Sequence, residues 1–236
     1  MTKNDCHNCE HFPPSDWGVL DANELQELGH NKVCQTYQAG DVLFHQGDEC
    51  QGLYCIVDGM VGVRKSDANG NSVLLRPLVV SGGIVGFRPL CAGENHRGSA
   101  EALRDTKVCF VPASTVQNLM QNNPQLTRCF LTRLAKALGD EEEDFFETAV
   151  LSVRTRLFHI LLGFKDRYGR LDEDGTLHID LPVSRQDLAA MFGVRPESLS
   201  RTVRRIEQDG IASFSGHNVQ IHDVDRLFEG LYSHNE

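Results

Sequence analysis

Between positions 195 and 205 the sequence sets Arg195, Arg201, Arg204 and Arg205 against a single acid, Glu197. Guanidinium groups pair bidentately with guanine O6 and N7 or with phosphate, and a carboxylate accepts from cytosine N4. A helix that carries both types on one side can therefore read base-pair edges. Two further residues, Cys6 and Cys9, form a C-x-x-C pair, a spacing that suits a metal or a redox dithiol. Six more cysteines follow, at 34, 50, 55, 91, 109 and 129. Residues Met1 to Glu10 show no basic segment followed by an apolar one, so no export signal is read there. Reduced thiols are the expectation, most of them small buried hydrophobes.

The arginines need a scaffold, and the residues around them supply one. Ser184-Arg185-Gln186-Asp187 resembles a capping box with Asp in place of Glu, opening a helix over "RQDLAAMF". Gly193 breaks that helix, Pro196 suits the first position of the next, and "ESLSRTVRRIEQD" runs on to Gly210. Leu188, Met191, Val194, Leu199, Val203 and Ile206 can pack the two helices together. Arg195, Glu197, Ser198, Arg201, Arg204 and Arg205 are left outward, with Ser184 and Gln186 placed for phosphates. "TLHIDLPVS" reads as a strand before this pair. "IASFSGHNVQIHD" reads as a hairpin around Ser215-Gly216-His217-Asn218 after it, which favours a winged helix over a bare αα-hairpin with a solvated basic face.

The rest of the chain bounds the possibilities. At 236 residues, 40% hydrophobic and 24% charged, it is neither disordered nor a collagen or coiled-coil rod. No apolar run approaches the roughly 20 residues of a membrane span, and a cytoplasmic protein is expected. The net charge of −10 argues against nucleic-acid binding only as an average, because Asp140 to Glu147 alone hold six acids and no base. From Cys34 to about Val111, short Val/Leu/Ile/Phe/Tyr runs between glycines suggest a barrel or jelly roll. From Pro124 a helix carries Leu131, Leu134, Leu138, Phe145, Ala149 and Ser152 at 3.5-residue spacing, with Glu141 or Glu142 where the next seam residue falls. That seam pairs with a twin or packs within its own domain. The acids either repel across a dimer seam and poise it, or point outward and solubilise. A further helix begins at Arg154 and runs through Phe164.

Here a resemblance becomes specific. "YQAGDVLFHQGDECQGLYCIVDGMVGV" resembles the cyclic-nucleotide-binding-type β-roll of CRP/FNR transcription regulators, and "LPVSRQDLAAMFGVRPESLSRTVRRIEQDGI" resembles their helix-turn-helix. The likeness implies an α+β fold. Residues 1–33 would be an N-terminal cysteine-containing segment and helix, 34–122 a β-roll (jelly roll) sensor, 123–153 a dimerisation helix region, and 154–236 a winged helix-turn-helix domain. Glu197-x-x-Ser200-Arg201 matches the E-x-x-S-R pattern of the FNR branch. By that resemblance Glu197, Ser200 and Arg201 contact bases of TTGAT-type half-sites in a palindrome, Arg195 assists, and Arg204 and Arg205 hold phosphates. The implied partners are double-stranded DNA, a second copy of the chain and, for an activator, RNA polymerase.

The resemblance also offers ligands to test. In cAMP-binding members a Glu and an Arg-Ser/Thr pair hold ribose and phosphate. Here Ile84 occupies the Glu position and Gly98 separates Arg97 from Ser99, so cAMP is not expected. Gly83, Gly86, Arg97 and Ser99 remain a candidate effector loop that could cradle an anion. An oxygen-sensing iron–sulfur cluster would use Cys6, Cys9 and Cys109, but a third N-terminal cysteine is absent and Cys34 would have to stand in. Zinc on Cys6, Cys9, His11 and Cys34, a Cys6/Cys9 dithiol and an inert terminus all stay open. His45 and His96 lie in the β-roll, where related sensors bind haem, yet structural histidines are the expectation. An enzyme, a thiol oxidoreductase acting through Cys6-x-x-Cys9, is the alternative, although the βαβ setting such pairs use is missing.

Overall fold

The computed structural model describes residues 17–173 and 175–232, apart from the side chains of Arg76, Pro77 and Tyr232. The described residues fall into two compact units, one within 17–71 and 75–141, the other within 72–74 and 142–232.

In the first unit, helix α1 (Ala22–Asn31) starts at a capping box: the Asp21 carboxylate accepts from the Asn23 and Glu24 N–H groups, and Glu24 accepts back from the Asp21 N–H. Eight strands follow: β1 (Val33–Tyr37), β2 (Val42–Phe44), β3 (Gly52–Asp58), β4 (Met60–Ser66), β5 (Ser72–Val80), β6 (Ile84–Val85), β7 (Ser99–Ala102) and β8 (Thr106–Pro112). They form two four-stranded sheets, ordered β1-β8-β3-β6 and β2-β7-β4-β5. Strand alternation divides the apolar residues. Phe44, Ile56, Val61, Val85, Ala100 and Val108 form one core. Leu53, Ile84 and Val111 join a second with Trp17, Leu28, Val116, Leu119, Leu126 and Phe130 from the helical layer. Trp17 meets Phe130 edge-on at 5.7 Å. That layer holds α1, α3 (Ala113–Asn122) and the start of α4 (Pro124–Val150), while a short α2 (Phe87–Ala92) interrupts the roll.

The β texture and the change of period at Pro124 agree with the sequence reading, and the fold is the jelly roll, long helix and helix-turn-helix expected. Of the seam residues on α4, Leu131, Leu138 and Phe145 are exposed, and so are Phe146 and Val150 beside them.

In the second unit, α5 (Val153–Tyr168), capped by Ser152, leads to β9 (Gly169–Leu171) and β10 (Leu177–Asp180). Then come α6 (Arg185–Met191), α7 (Pro196–Gln208), the hairpin β11 (Ala212–Ser215) and β12 (Asn218–Ile221), and α8 (Val224–Tyr232). The sheet order β11-β12-β10-β9 sets the hairpin beside the strand that precedes α6. β9 and α8 had no clear signal in the sequence.

Candidate nucleic-acid interface

The helix pair closes where its local chemistry requires. The Ser184 hydroxyl accepts from the Asp187 N–H at 3.1 Å, and the Asp187 carboxylate accepts from the Ser184 N–H and hydroxyl. Gly193 adopts φ +61, a backbone other residues resist, which turns the chain after α6. Pro196 then occupies the first turn of α7. Leu199, Val203 and Ile206 are buried along one line of α7 at helical spacing.

The opposite line is charged. Glu197, Arg201, Arg204 and Arg205 are exposed, Ser198 and Ser200 are half-buried on the flanks, and exposed Arg195 is the N-cap residue. Arg201 lies farthest around the helix from the buried line, and its guanidinium donates to the Ser198 hydroxyl at 3.1 Å. Gln186 is exposed on the first turn of α6. Ser184 Oγ is committed to the cap, so any contact it makes to DNA is secondary to that bond. The structure thus brings all nine expected residues onto α6, α7 and their termini.

Sequence reasoning missed the groups that fix this helix pair. Arg154 on α5 reaches the Asp209 carboxylate at 2.6 Å, and Arg226 on α8 donates to the Asp209 carbonyl at 2.8 Å, so the C-terminus of α7 is held from two sides. Arg156, buried at 6% exposure, donates to the Phe192 carbonyl in the turn at 3.1 Å and stacks on its ring. An arginine within a helical run carries no local mark of such a role.

Within the first unit, a cavity of about 1250 Å³ is walled by Phe44, Val63, Leu78, Val79 and Leu134, with Lys65, Arg88, Arg128 and Lys136 among its cations. Gly83, Gly86 and Arg97 of the expected effector loop line it. Ser99 Oγ instead accepts from the Gln46 N–H at 2.9 Å. Arg97 pairs with Glu94 at 3.0 Å, and Ile84 is buried at 1% in the core. No carboxylate stands between Gly82 and Phe87, and the acids that line the cavity are Asp140 and Glu141.

His45 is exposed. His96 is buried and stacks on Phe44 with centroids 3.6 Å apart. Burial holds the His96 pKa below its ordinary 6.5; Asp48 opposes that shift and Arg88 adds to it. The folded unit therefore keeps this ring neutral, while the unfolded chain takes up a proton near pH 6.5. The stability tied to that neutral ring is fully present above 6.5 and is lost as pH falls through 6.5 towards the lowered folded value. Urea unfolding at several pH values should show this loss, and His96→Phe should flatten it. An unchanged slope in the variant would assign the loss to another group.

The cysteines depart from expectation. Cys34 and Cys109 are joined in a disulfide, although both were read as reduced. The reason is register: β1 and β8 pair with these two residues directly opposite each other. A disulfide offers no thiolate, so in this state neither residue can ligate an iron–sulfur cluster. Cys6, Cys9 and His11 lie outside the described residues, and among the described residues no group of three or more His, Cys, Asp or Glu could hold a metal ion.

Comparison with known proteins adds to this geometry. Residues 34–123 match the cyclic nucleotide-binding domain family, and residues 155–229 match the Crp-like helix-turn-helix domain. Electron transport regulator A of Shewanella oneidensis is 22% identical over 223 residues, covering 94% of this chain and 88% of that protein. The transcriptional activator protein anr of Pseudomonas aeruginosa is 24% identical over 221 residues, covering 92% and 88%. The solved structure of FixK2 from Bradyrhizobium japonicum superposes with a TM-score of 0.71 at 23% identity, covering 86% of this chain and 99% of that one.

Proposed function

We propose that this chain is a transcription regulator of the CRP/FNR type, which binds palindromic TTGAT-like DNA as a homodimer and responds to a redox, gas or small-molecule signal received in its β-roll. Glu197, Ser200 and Arg201 contact bases, assisted by Arg195. Arg204, Arg205, Gln186 and Ser184 set register on phosphates, with Ser198 steadying Arg201. The reading rests on the two-sided α7, whose arginines and Glu197 lie opposite buried Leu199, Val203 and Ile206. Among the described residues no helix is long and apolar enough to cross a membrane. RNA polymerase is the further partner if binding activates.

Fluorescence anisotropy with a palindromic TTGAT duplex and a scrambled duplex tests this. Specific binding is expected to be tighter by roughly a thousandfold or more. Equal affinities at every salt concentration would reject sequence-specific binding.

The exposed seam of α4 supports the dimer. Its apolar period falls on Leu131, Leu138 and Phe145, and the position between the last two is taken by the acidic pair Glu141 and Glu142. Glu142 is exposed, and a parallel pair of α4 helices joined along this stripe would set it against its own copy. Like charges facing each other across a solvent-exposed seam weaken the pair by up to about 1 kcal/mol. Glu142→Ala should therefore tighten the dimer by roughly twofold to fivefold in the absence of signal. A sedimentation profile identical to wild type would place the acids outside the seam.

A further inference from the structure

Cys34, Cys109 and Cys55 share one rung of a sheet. Cys34 on β1 faces Cys109 on β8, and Cys55 on β3 faces Cys109 from the other side. Directly opposed residues of antiparallel strands project to the same face, with neighbouring strands about 4.8 Å apart. Here that face also carries Leu53 and Val111 into the helix-covered core, against which Cys55 packs. The Cα atoms of disulfide-bonded Cys34 and Cys109 are 4.0 Å apart, and Cys55 is in no disulfide. Cys34 is half-buried on the end strand of its sheet, whereas Cys109 is 5% exposed.

Exchange between a thiol and a disulfide proceeds by attack on one sulfur with departure of the other. It is fastest when attacking, central and leaving sulfurs lie in a row. A rung with Cys109 in the middle provides that order. We propose that these three residues form a thiol–disulfide exchange site, reached from outside at Cys34, in which the disulfide moves between Cys34–Cys109 and Cys55–Cys109. In the internal step the Cys55 thiolate attacks Sγ of Cys109. The Cys34–Cys109 bond breaks, its electron pair leaves on Cys34, and Cys34 takes up the proton that Cys55 gave up. Nothing is oxidised or reduced overall.

An external dithiol reduces the pair from the more exposed end. Its first thiolate forms a mixed disulfide with Cys34 and releases Cys109. Its second thiolate then closes the dithiol's own disulfide and releases Cys34. Two electrons and two protons pass from the dithiol to the cysteines. A low-molecular-weight disulfide drives the reverse reaction.

The test is peptide mapping without reduction, after thiol alkylation, on the full chain equilibrated with dithiothreitol or with glutathione disulfide. Wild type should show Cys34–Cys109 with glutathione disulfide and lose it with dithiothreitol. Cys34→Ser should convert to Cys55–Cys109 under the same oxidant, oxidising the two remaining thiols as glutathione disulfide becomes two glutathiones. Cys55→Ser should retain Cys34–Cys109. Oxidised wild type, incubated at neutral pH without added reductant and then alkylated, supplies a measurement free of any folding defect, and should yield the Cys55–Cys109 peptide as a minor species. Cys55 and Cys109 both alkylated in oxidised Cys34→Ser, with that minor species absent from wild type, would overturn the proposal. DNA binding enters none of these readouts, so the result stands apart from the regulatory reading.

Discussion

Replacing Phe145 with Ala is expected to dissociate the dimer and to leave the melting of the protomer unchanged. The ring is 76% exposed in the single chain, so it contributes almost nothing to that chain's own core. Against a twin α4 it becomes a seam residue, seven positions beyond Leu138 and fourteen beyond Leu131. Burying a phenylalanine is worth about 1.5–3 kcal/mol. A two-fold interface counts it twice, for about 3–6 kcal/mol, or roughly a hundredfold to ten-thousandfold in dimer affinity. Sedimentation velocity across a dilution series reads the effect, with circular dichroism melting as the control. A dimer as tight as wild type would move the contact off this stripe. Affinity for a palindrome should fall with the dimer while affinity for an isolated half-site survives, because the α6–α7 pair is assembled within one protomer.

The helix-turn-helix was legible because nearly everything that shapes it is local. A capping box spans four residues, Gly193 sets its own backbone, Pro196 fixes the first turn, and a 3.6-residue period sorts Leu199, Val203 and Ile206 from Arg201 and Arg205. The exposed seam of α4 was legible for the same reason. What escaped depends on residues distant in sequence. Cys34 and Cys109 are 75 positions apart, and only the pairing of β1 with β8 makes them neighbours. Strand register comes from how a whole sheet closes, and a slip of one residue would send one of them to the other face. Arg154 reaches Asp209 across 55 positions, and nothing local in the sequence separates buried Arg156 from half-buried Arg154. The effector loop fell between these cases: its glycines and Arg97 do reach the cavity, but Ser99 is diverted by the backbone of Gln46.

Arg201 and Arg205 lie a single helical turn apart and should fail in different ways. Arg201 is opposite the buried line of α7, where a helix laid in the major groove comes nearest the base edges, and its bond to Ser198 limits its freedom before DNA arrives. Removing a guanidinium that pairs with a base costs about 1–3 kcal/mol, so Arg201→Ala should bind the preferred palindrome roughly tenfold to a hundredfold more weakly. The loss should vanish on scrambled DNA, and discrimination should relax at one base pair of each half-site. Arg205 lies in the last turn, and the proposed role for it is a phosphate contact. Arg205→Ala should weaken specific and scrambled duplexes alike and reduce the slope of log affinity against log salt by about one. Anisotropy titrations of both variants on both duplexes, at several salt concentrations, separate the two behaviours. Equal losses on specific and scrambled DNA for both variants would mean that α7 is held to the backbone by all its arginines alike. Sequence would then have to be read by Glu197 and Ser200, or through the deformability of the DNA itself.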